Sequence, residues 1–354
     1  MASDGFDYLI VGSTPLAGLV AGLLASAHGK QVCIVGEPFS PFRLQRSLTL
    51  SVAPVTRPET LILLQRAAAE AVRLVNGWGK GLVTRVDPLF IAETPESIAA
   101  LGYFRQLALA LGYAVEPVAD RSLAEGLILR VRDVQLLGHG RFEPALEQWL
   151  GQHGVRRLDR AEAAVSIRKD GTARITAGEL AVDAARSILL DDEAILTHLP
   201  EDSRDRSLVE QPASALLLEG AKGLSAPYLA FLDRGVTLTQ DGRAGVSALT
   251  SGDPATTRAR LGSAAARAGA LRIAGEMVFN TIATTDGAPY VGPARGGKAV
   301  VVAGLGPAAA FFAPAVARHL AGASPADEEA WFAARGATRG NLRLQAAEYA
   351  PVSA

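Results

Sequence analysis

The chain has 354 residues, 49% of them apolar and 20% charged, with a formal net charge of −1. It is too apolar to stay disordered and longer than one hydrophobic core usually serves, so one large or two interleaved domains are expected. Near-neutral charge without a basic tract leaves no electrostatic footprint for nucleic acid, and a single cysteine, Cys33, excludes an intramolecular disulfide and a Cys-rich metal site.

Tyr8–Val11 is a continuous apolar run, the pattern of a buried parallel strand. Gly12-Ser13-Thr14-Pro15 makes a turn, and Leu16–Ala27, rich in Ala and Leu, makes a helix ended by His28-Gly29-Lys30. Val32–Val35 is a second buried strand, which completes a βαβ unit. Glu59–Asn76 and Pro95–Leu111 read as helices, with Gly81–Val86 between them alternating like a half-exposed strand. Phe142–His153 is a further helix, followed by short strands at Ala164–Ile167, Ala173–Thr176 and Ser187–Leu190. Tyr228–Thr239 and Ala244–Leu249 read as antiparallel strands joined at Asp241-Gly242, and Thr256–Ile273 as an Ala/Arg-rich helix. The last strong unit is the strand Lys298–Ala303, the turn Gly304-Leu305-Gly306 and a helix to Leu320, with Gly322 as its C-cap. After Glu328 the pattern is lost.

Dinucleotide-binding turns need glycine at three places: for the tight turn, for close approach of the pyrophosphate, and for helix–strand packing. Here those places hold Gly12, Thr14 and Ala17. Ala17 is an accepted substitute, whereas the β-branched Thr14 stands where a phosphate should come close. A register with one inserted residue would use Gly18 instead. The acid that holds the adenosine ribose is expected just past the second strand, and Glu37 is there, after Gly36. The five histidines lack the i,i+4 spacing of a helical metal site, so no metal is expected. Met1–Asp7 carries no lysine or arginine and does not resemble a signal peptide. Leu16–Ala27 is too short to span a bilayer, and the expected compartment is the cytoplasm.

Thr284-Thr285-Asp286-Gly287-Ala288-Pro289-Tyr290-Val291-Gly292-Pro293 resembles the T-x-D-G-x-P-x-I-G-P stretch of FAD-dependent oxidoreductases of the D-amino-acid oxidase, sarcosine oxidase and glycine oxidase family. The strand and glycine turn at Val300–Gly306, followed by Ala313-Pro314, match the order in that family. Leu137–Pro144 looks like its G-x-V-D-P element, with Phe142-Glu143-Pro144 in place of Val-Asp-Pro. Ser187–Asp192 sits where the family carries a strand ending in Ala-Gly, a pair missing here. The resemblance spans nearly the whole chain.

The resemblance implies an α/β chain with a Rossmann-like FAD-binding domain and an inserted mixed-sheet substrate domain. The FAD-binding domain is expected to comprise 1–54, 130–192 and 274–340, and the substrate domain 55–129 and 193–273, with a tail at 341–354. It also implies non-covalent FAD, since no cysteine lies in the C-terminal half. The cofactor residues are then Gly12, Thr14, Ala17, Glu37, Arg46, Ser47, Val165, Asp286, Gly287, Gly304, Gly306 and Pro307, with Thr49 nearby. The last helix would aim its N-terminus at the flavin and stabilise the anionic reduced ring. Tyr228, Asn280 and Tyr290 are the candidate substrate residues, and Phe231 lies near them. No catalytic acid or base is assigned.

Flavin enzymes of this kind oxidise a C–N bond. Relatives acting on amino acids carry an arginine shortly before the T-x-D-G motif, able to grip a carboxylate. Glu276–Ile282 has none, and Arg272 is too early. The expected function is therefore oxidation of an amine or amino-acid-like substrate, with partner subunits possible. The alternative is a non-catalytic or electron-transfer subunit of the same fold with weak or absent flavin. An NAD(P)-dependent reductase using Gly12–Glu37 alone would leave the C-terminal block without a role.

Overall fold

The structure, a computed structural model, describes residues 5–38, 40, 44–46, 49–220, 223–240, 245–252, 256–257, 259–261, 271–336 and 348–349. Phe6–Val11 (β1), Pro15–His28 (α1) and Val32–Gly36 (β2) form the expected βαβ unit. Pro15 opens α1, Thr14 caps it by accepting from the Ala17 N–H, and Gly29 at φ 63° ends it in the left-handed conformation. Apart from Leu23, α1 is buried at every position from Pro15 to Leu24, because it is enclosed between the sheet and two further helices, His139–Gln152 and Ala313–Ala321. Its small residues make that possible. A Cβ on Gly18 would lie 2.5 Å from the Leu146 side chain, and one on Gly22 would lie 2.0 Å from Trp149.

The first sheet runs in the order Tyr290–Pro293, Val300–Ala303, Leu180–Leu189, β1, β2, Arg156–Asp159. All neighbours are parallel except the Tyr290–Pro293 edge strand. Side chains alternate between two apolar layers. Tyr8, Ile10, Ile34 and Val302 face the helices, while Leu9, Val11, Cys33, Val35 and Val301 face a second cluster. This accounts for the unbroken apolar runs in the sequence: a parallel strand covered on both faces has no polar side to show. Ala164–Ile167 and Ala173–Ala177 extend the N-terminal half of Leu180–Leu189 as an antiparallel ribbon.

The second sheet is mixed, in the order Leu271–Thr284, Leu208–Gly220, Val246–Ser251, Val236–Gln240, Tyr228–Phe231, Leu89–Ala92, Leu127–Val131, Val115–Pro117. Its single parallel pair joins Tyr228–Phe231 to Leu89–Ala92. The chain therefore has the expected α/β architecture, with a parallel sheet and a mixed sheet. The expected domain boundary at 274 falls inside the strand Leu271–Thr284, which belongs wholly to the second sheet.

Three local expectations are corrected. The single strand at Tyr228–Thr239 is two strands, folded back at Leu232–Arg234 with Gly235 at φ 56°. The helix expected to run to Ile273 is helical at 256–257 and 259–261, but Leu271–Ile273 are already strand. The segment after Glu328 continues a helix, Ala326–Ala333. The Asp241-Gly242 turn lies outside the described residues, although the strands flanking it pair antiparallel. No helix among the described residues is long and apolar enough to cross a membrane.

Candidate functional site: a groove along the carboxyl edge of the parallel sheet

Parallel strands all end on one edge, and their carboxyl ends set the floor of a groove of about 1240 Å³. β1 delivers Gly12-Ser13-Thr14 and β2 delivers Glu37. Leu180–Leu189 delivers Asp191 and Asp192, and Val300–Ala303 delivers Gly304, Leu305 and Gly306. The βαβ turn and the C-terminal glycine turn, far apart in sequence, thus share one cavity.

At one end the β2 terminus crosses the β1 turn at close range. A Cβ on Gly36 would sit 2.2 Å from the Gly12 carbonyl oxygen, and the Glu37 N–H donates to Ser13 Oγ at 2.9 Å. Glycine is therefore required where the sequence pattern often places an acid, and the carboxylate arrives one residue later. Glu37 sits between two cations, 3.8 Å from Arg46 Nη2 and 3.4 Å from Arg160 Nη2. Both arginines also pair with Glu193, and Arg157 donates to the Glu37 carbonyl at 2.8 Å.

In the middle of the groove stands Asp191. Its Oδ2 accepts from the Ser13 N–H at 2.6 Å and its Oδ1 from the Ala194 N–H at 2.7 Å. It thereby caps the helix Asp192–His198 and also holds the turn before α1. Burial is the first cause that pushes its carboxyl above the usual range, against the two N–H groups that favour the anion. Burial likewise pushes Asp192 up to about 7. An acid whose folded pKa is raised contributes its stability below its unfolded pKa of about 3.9 and loses it as pH climbs through the folded value. Thermal stability is therefore expected to fall between about pH 4 and pH 7. Asp192→Asn should flatten that slope in melting curves across the same range.

At the other end, Gly304 and Gly306 adopt φ 73° and 61°, and both line the groove with Gly287 and Pro307. Tyr349 comes from the far end of the sequence and faces Gly306, its hydroxyl donating to the Leu305 carbonyl at 3.0 Å. The sequence pattern carries no sign of this wall. Beyond it the groove reaches the second sheet at Phe90, Gln211, Tyr228 and Asn280. Tyr228 is buried, its ring tilted by 58° against Phe90 with the centroids 6.1 Å apart. Asn280 stands at the rim, where Nδ2 donates to Glu210 at 2.6 Å.

The other predicted site residues lie elsewhere. Tyr290 is fully buried in the second apolar layer, its hydroxyl donating to the Pro293 carbonyl, and it does not line the groove. Val165 packs in the antiparallel ribbon behind the sheet. Asp286 turns its carboxylate to the Ala288 N–H at 3.1 Å. Ala17 is buried against Gly12, and Thr49 donates to the Leu137 carbonyl at 3.2 Å while lining the groove. Phe231 is buried in a separate cluster of the second sheet. Ser47 lies outside the described residues. Cys33 is buried in the layer behind the sheet, its thiol pushed up to about 12, and no metal-type cluster of His, Cys, Asp or Glu occurs among the described residues.

No protein-family model matches the chain, and no curated protein matches it by sequence. Solved structures do. An L-amino acid deaminase from Proteus vulgaris, with its specific insertion deleted, superposes with a TM-score of 0.71 at 13% identity, over 96% of this chain and 94% of that one. A glycine oxidase from Geobacillus kaustophilus gives 0.70 at 15% identity, over 95% and 99%. The L-proline dehydrogenase of P. horikoshii gives 0.72 at 13% identity, over 93% and 97%.

The chain has the D-amino-acid-oxidase-type fold.

Seen as a D-amino-acid-oxidase-type fold, the groove has three parts against which FAD can be tested. Glu37 and the Gly36–Gly12 crossing suit an adenosine ribose, and the positive-φ glycines 304 and 306 suit close approach of a planar ring. The part between them does not fit. A diphosphate rests on free N–H groups at a helix N-terminus, and here Ser13 N–H is taken by Asp191, Pro15 has none, and Ala17 N–H is turned to Thr14 Oγ1 at 3.4 Å. Thr14 acts as a helix cap as well as a bulky neighbour. The residues present do not form a diphosphate seat.

Proposed function

We propose that the chain is a flavin-dependent oxidoreductase acting on the C–N bond of an amine or amino-acid-like substrate that is not held by an arginine clamp. One observation carries this reading: a single groove links the Glu37 end, the Gly304–Gly306 turn and a pocket on the second sheet. Deaminases, oxidases and dehydrogenases named for amino-acid substrates share the fold, which supports the reaction class. The pocket is walled by Gln211, Tyr228, Thr237, Ser251 and Asn280 with apolar neighbours. The cations among the described lining residues are Arg157, at the Glu37 end, and Arg46, which pairs with Glu37 and Glu193 while its guanidinium lies 5.9 Å over the Phe279 ring. Arg272 pairs with Glu219 on an exposed edge. A buried carboxylate without a cation is costly, so a less anionic substrate, or one completed by a partner subunit, suits this pocket better than a free α-amino acid.

Asp191 favours a second reading, a non-catalytic or electron-transfer subunit with weak or absent flavin. Purification from the native source separates the two by flavin absorbance and by co-purifying subunits. Stoichiometric non-covalent FAD with amine turnover supports the first reading, while a colourless chain recovered with partners supports the second. A lone yellow protein that rapidly oxidises glycine, sarcosine or D-alanine would remove the argument from the missing arginine. Glu37→Ala is expected to weaken adenosine or FAD binding about tenfold or more, since charge-assisted hydrogen bonds to a ribose are worth about 1.5–3 kcal/mol each. Isothermal titration with adenosine checks it, and unchanged affinity would displace Glu37 from the ribose.

A further inference from the structure

We propose that the Asp191 carboxyl occupies the diphosphate position of the groove, and that it sets the affinity of this chain for dinucleotides by excluding their phosphates. The proposal rests on the reading of the groove as a dinucleotide site and adds what controls it.

The geometry is specific. Both carboxylate oxygens of Asp191 are engaged by backbone N–H groups, Oδ2 by Ser13 at the mouth of α1 and Oδ1 by Ala194 in the next helix. Those are the kinds of donor a phosphate would use, and a helix N-terminus stabilises any anion placed there. The neighbouring chain is tied down on both sides: Leu190 N–H donates to the Val11 carbonyl at 3.0 Å, and Thr14 Oγ1 donates to the Leu190 carbonyl at 3.4 Å. Asp191 is therefore fixed in place by its backbone as well as by its side chain. A Cβ on Gly12 would come within 3.3 Å of Oδ2, so the carboxylate lies directly against the turn. Acids crowd the same stretch. Asp192 follows in sequence and Glu193 pairs with Arg46 and Arg160, so the nearby cations are already matched to carboxylates. An incoming diphosphate would meet the Asp191 carboxyl at contact distance, with the Ser13 donor held by it and the Ala17 donor turned to Thr14.

Adenosine has no phosphate and does not reach this position, which gives the test its internal reference. Adenosine, ADP and FAD are titrated calorimetrically against the full chain and against Asp191→Asn and Asp191→Gly, with melting curves to show that each variant folds. Asparagine keeps the capping oxygen and removes the charge; glycine also clears the space. In the native chain ADP is expected to bind no tighter than adenosine, because the diphosphate adds nothing, and FAD exceeds adenosine only by what its flavin end contributes. In both variants the affinity for ADP and FAD relative to adenosine should rise at least tenfold, about 1.4 kcal/mol, more in the glycine variant. Adenosine binding without any gain for ADP or FAD in either variant overturns the role of Asp191 and leaves the groove reading standing. Native chain that already binds ADP far more tightly than adenosine overturns it too. If none of the three ligands binds any of the proteins, the dinucleotide reading and this proposal fall together.

Discussion

Replacing Arg335 with methionine is expected to lower stability by about 3–5 kcal/mol, the cost of leaving a buried carboxylate without its cation. Arg335 is 3% exposed and Glu348 is fully buried. Arg335 Nε lies 3.1 Å from both Glu348 oxygens and Nη2 lies 2.7 Å from Oε1. The guanidinium also donates to the Trp331 carbonyl and to Thr60 Oγ1, and lies 4.0 Å over the Trp331 ring. Burial already pushes the Glu348 carboxyl upward, and Arg335 opposes that. Urea denaturation of Arg335→Met, Glu348→Gln and the double variant gives the coupling directly. The double variant should recover part of the loss, because neither member is then left charged and alone. A loss below 1 kcal/mol in Arg335→Met would mean that the pair is hydrated.

The second large effect is expected at Gly36. Its alanine variant would bring a Cβ to 2.2 Å from the Gly12 carbonyl oxygen and 2.9 Å from its carbon. Both are backbone atoms, so neither can swing aside as a side chain would. Overpacking of this kind costs about 1–3 kcal/mol, and relieving it must move the Gly12–Thr14 turn and break the Glu37 N–H to Ser13 Oγ bond. Adenosine affinity should fall along with the melting temperature. Gly102→Ala, inside the helix Pro95–Ala110 with open space around it, should instead raise stability by about 0.5–1 kcal/mol. Opposite signs in the two melting curves would tie the Gly36 effect to the crossing.

Why one half of the molecule was legible and the other was not follows from the forces that decide each. β1, α1 and β2 were placed to within about two residues, because a strand buried on both faces and a helix with Thr, Pro and Gly at its ends carry their signals locally. The long strands Leu208–Gly220 and Leu271–Thr284 were missed. Their pairing with each other, thirteen register partners long, is what makes them strands, and cross-strand packing outweighs intrinsic preference in such segments. At the groove, the loss of the Ala-Gly pair was visible at Leu190-Asp191, but its meaning was not. Asp191 acts on Ser13, 178 positions away, and no local pattern joins them. Its capping of Ala194 could have been read from an aspartate just ahead of Ala194-Ile195-Leu196. Tyr349 was out of reach for the same reason as Asp191, since a charged, patternless stretch gives no sign that it returns to the core.

Tyr349 also bears on the order in which the molecule can be assembled. Residues 6–37 lay the first part of the groove floor, while one wall comes from residue 349, held by Glu348 in its pocket against Thr60, Trp331 and Arg335. Synthesis from the N-terminus lets early domains fold first, but here the earliest strands border a cavity whose wall comes from residues made much later. The Gly306 wall of the groove therefore depends on contacts between segments far apart in the chain, with Glu348 anchored at Thr60 and Arg335 and Tyr349 at Leu305.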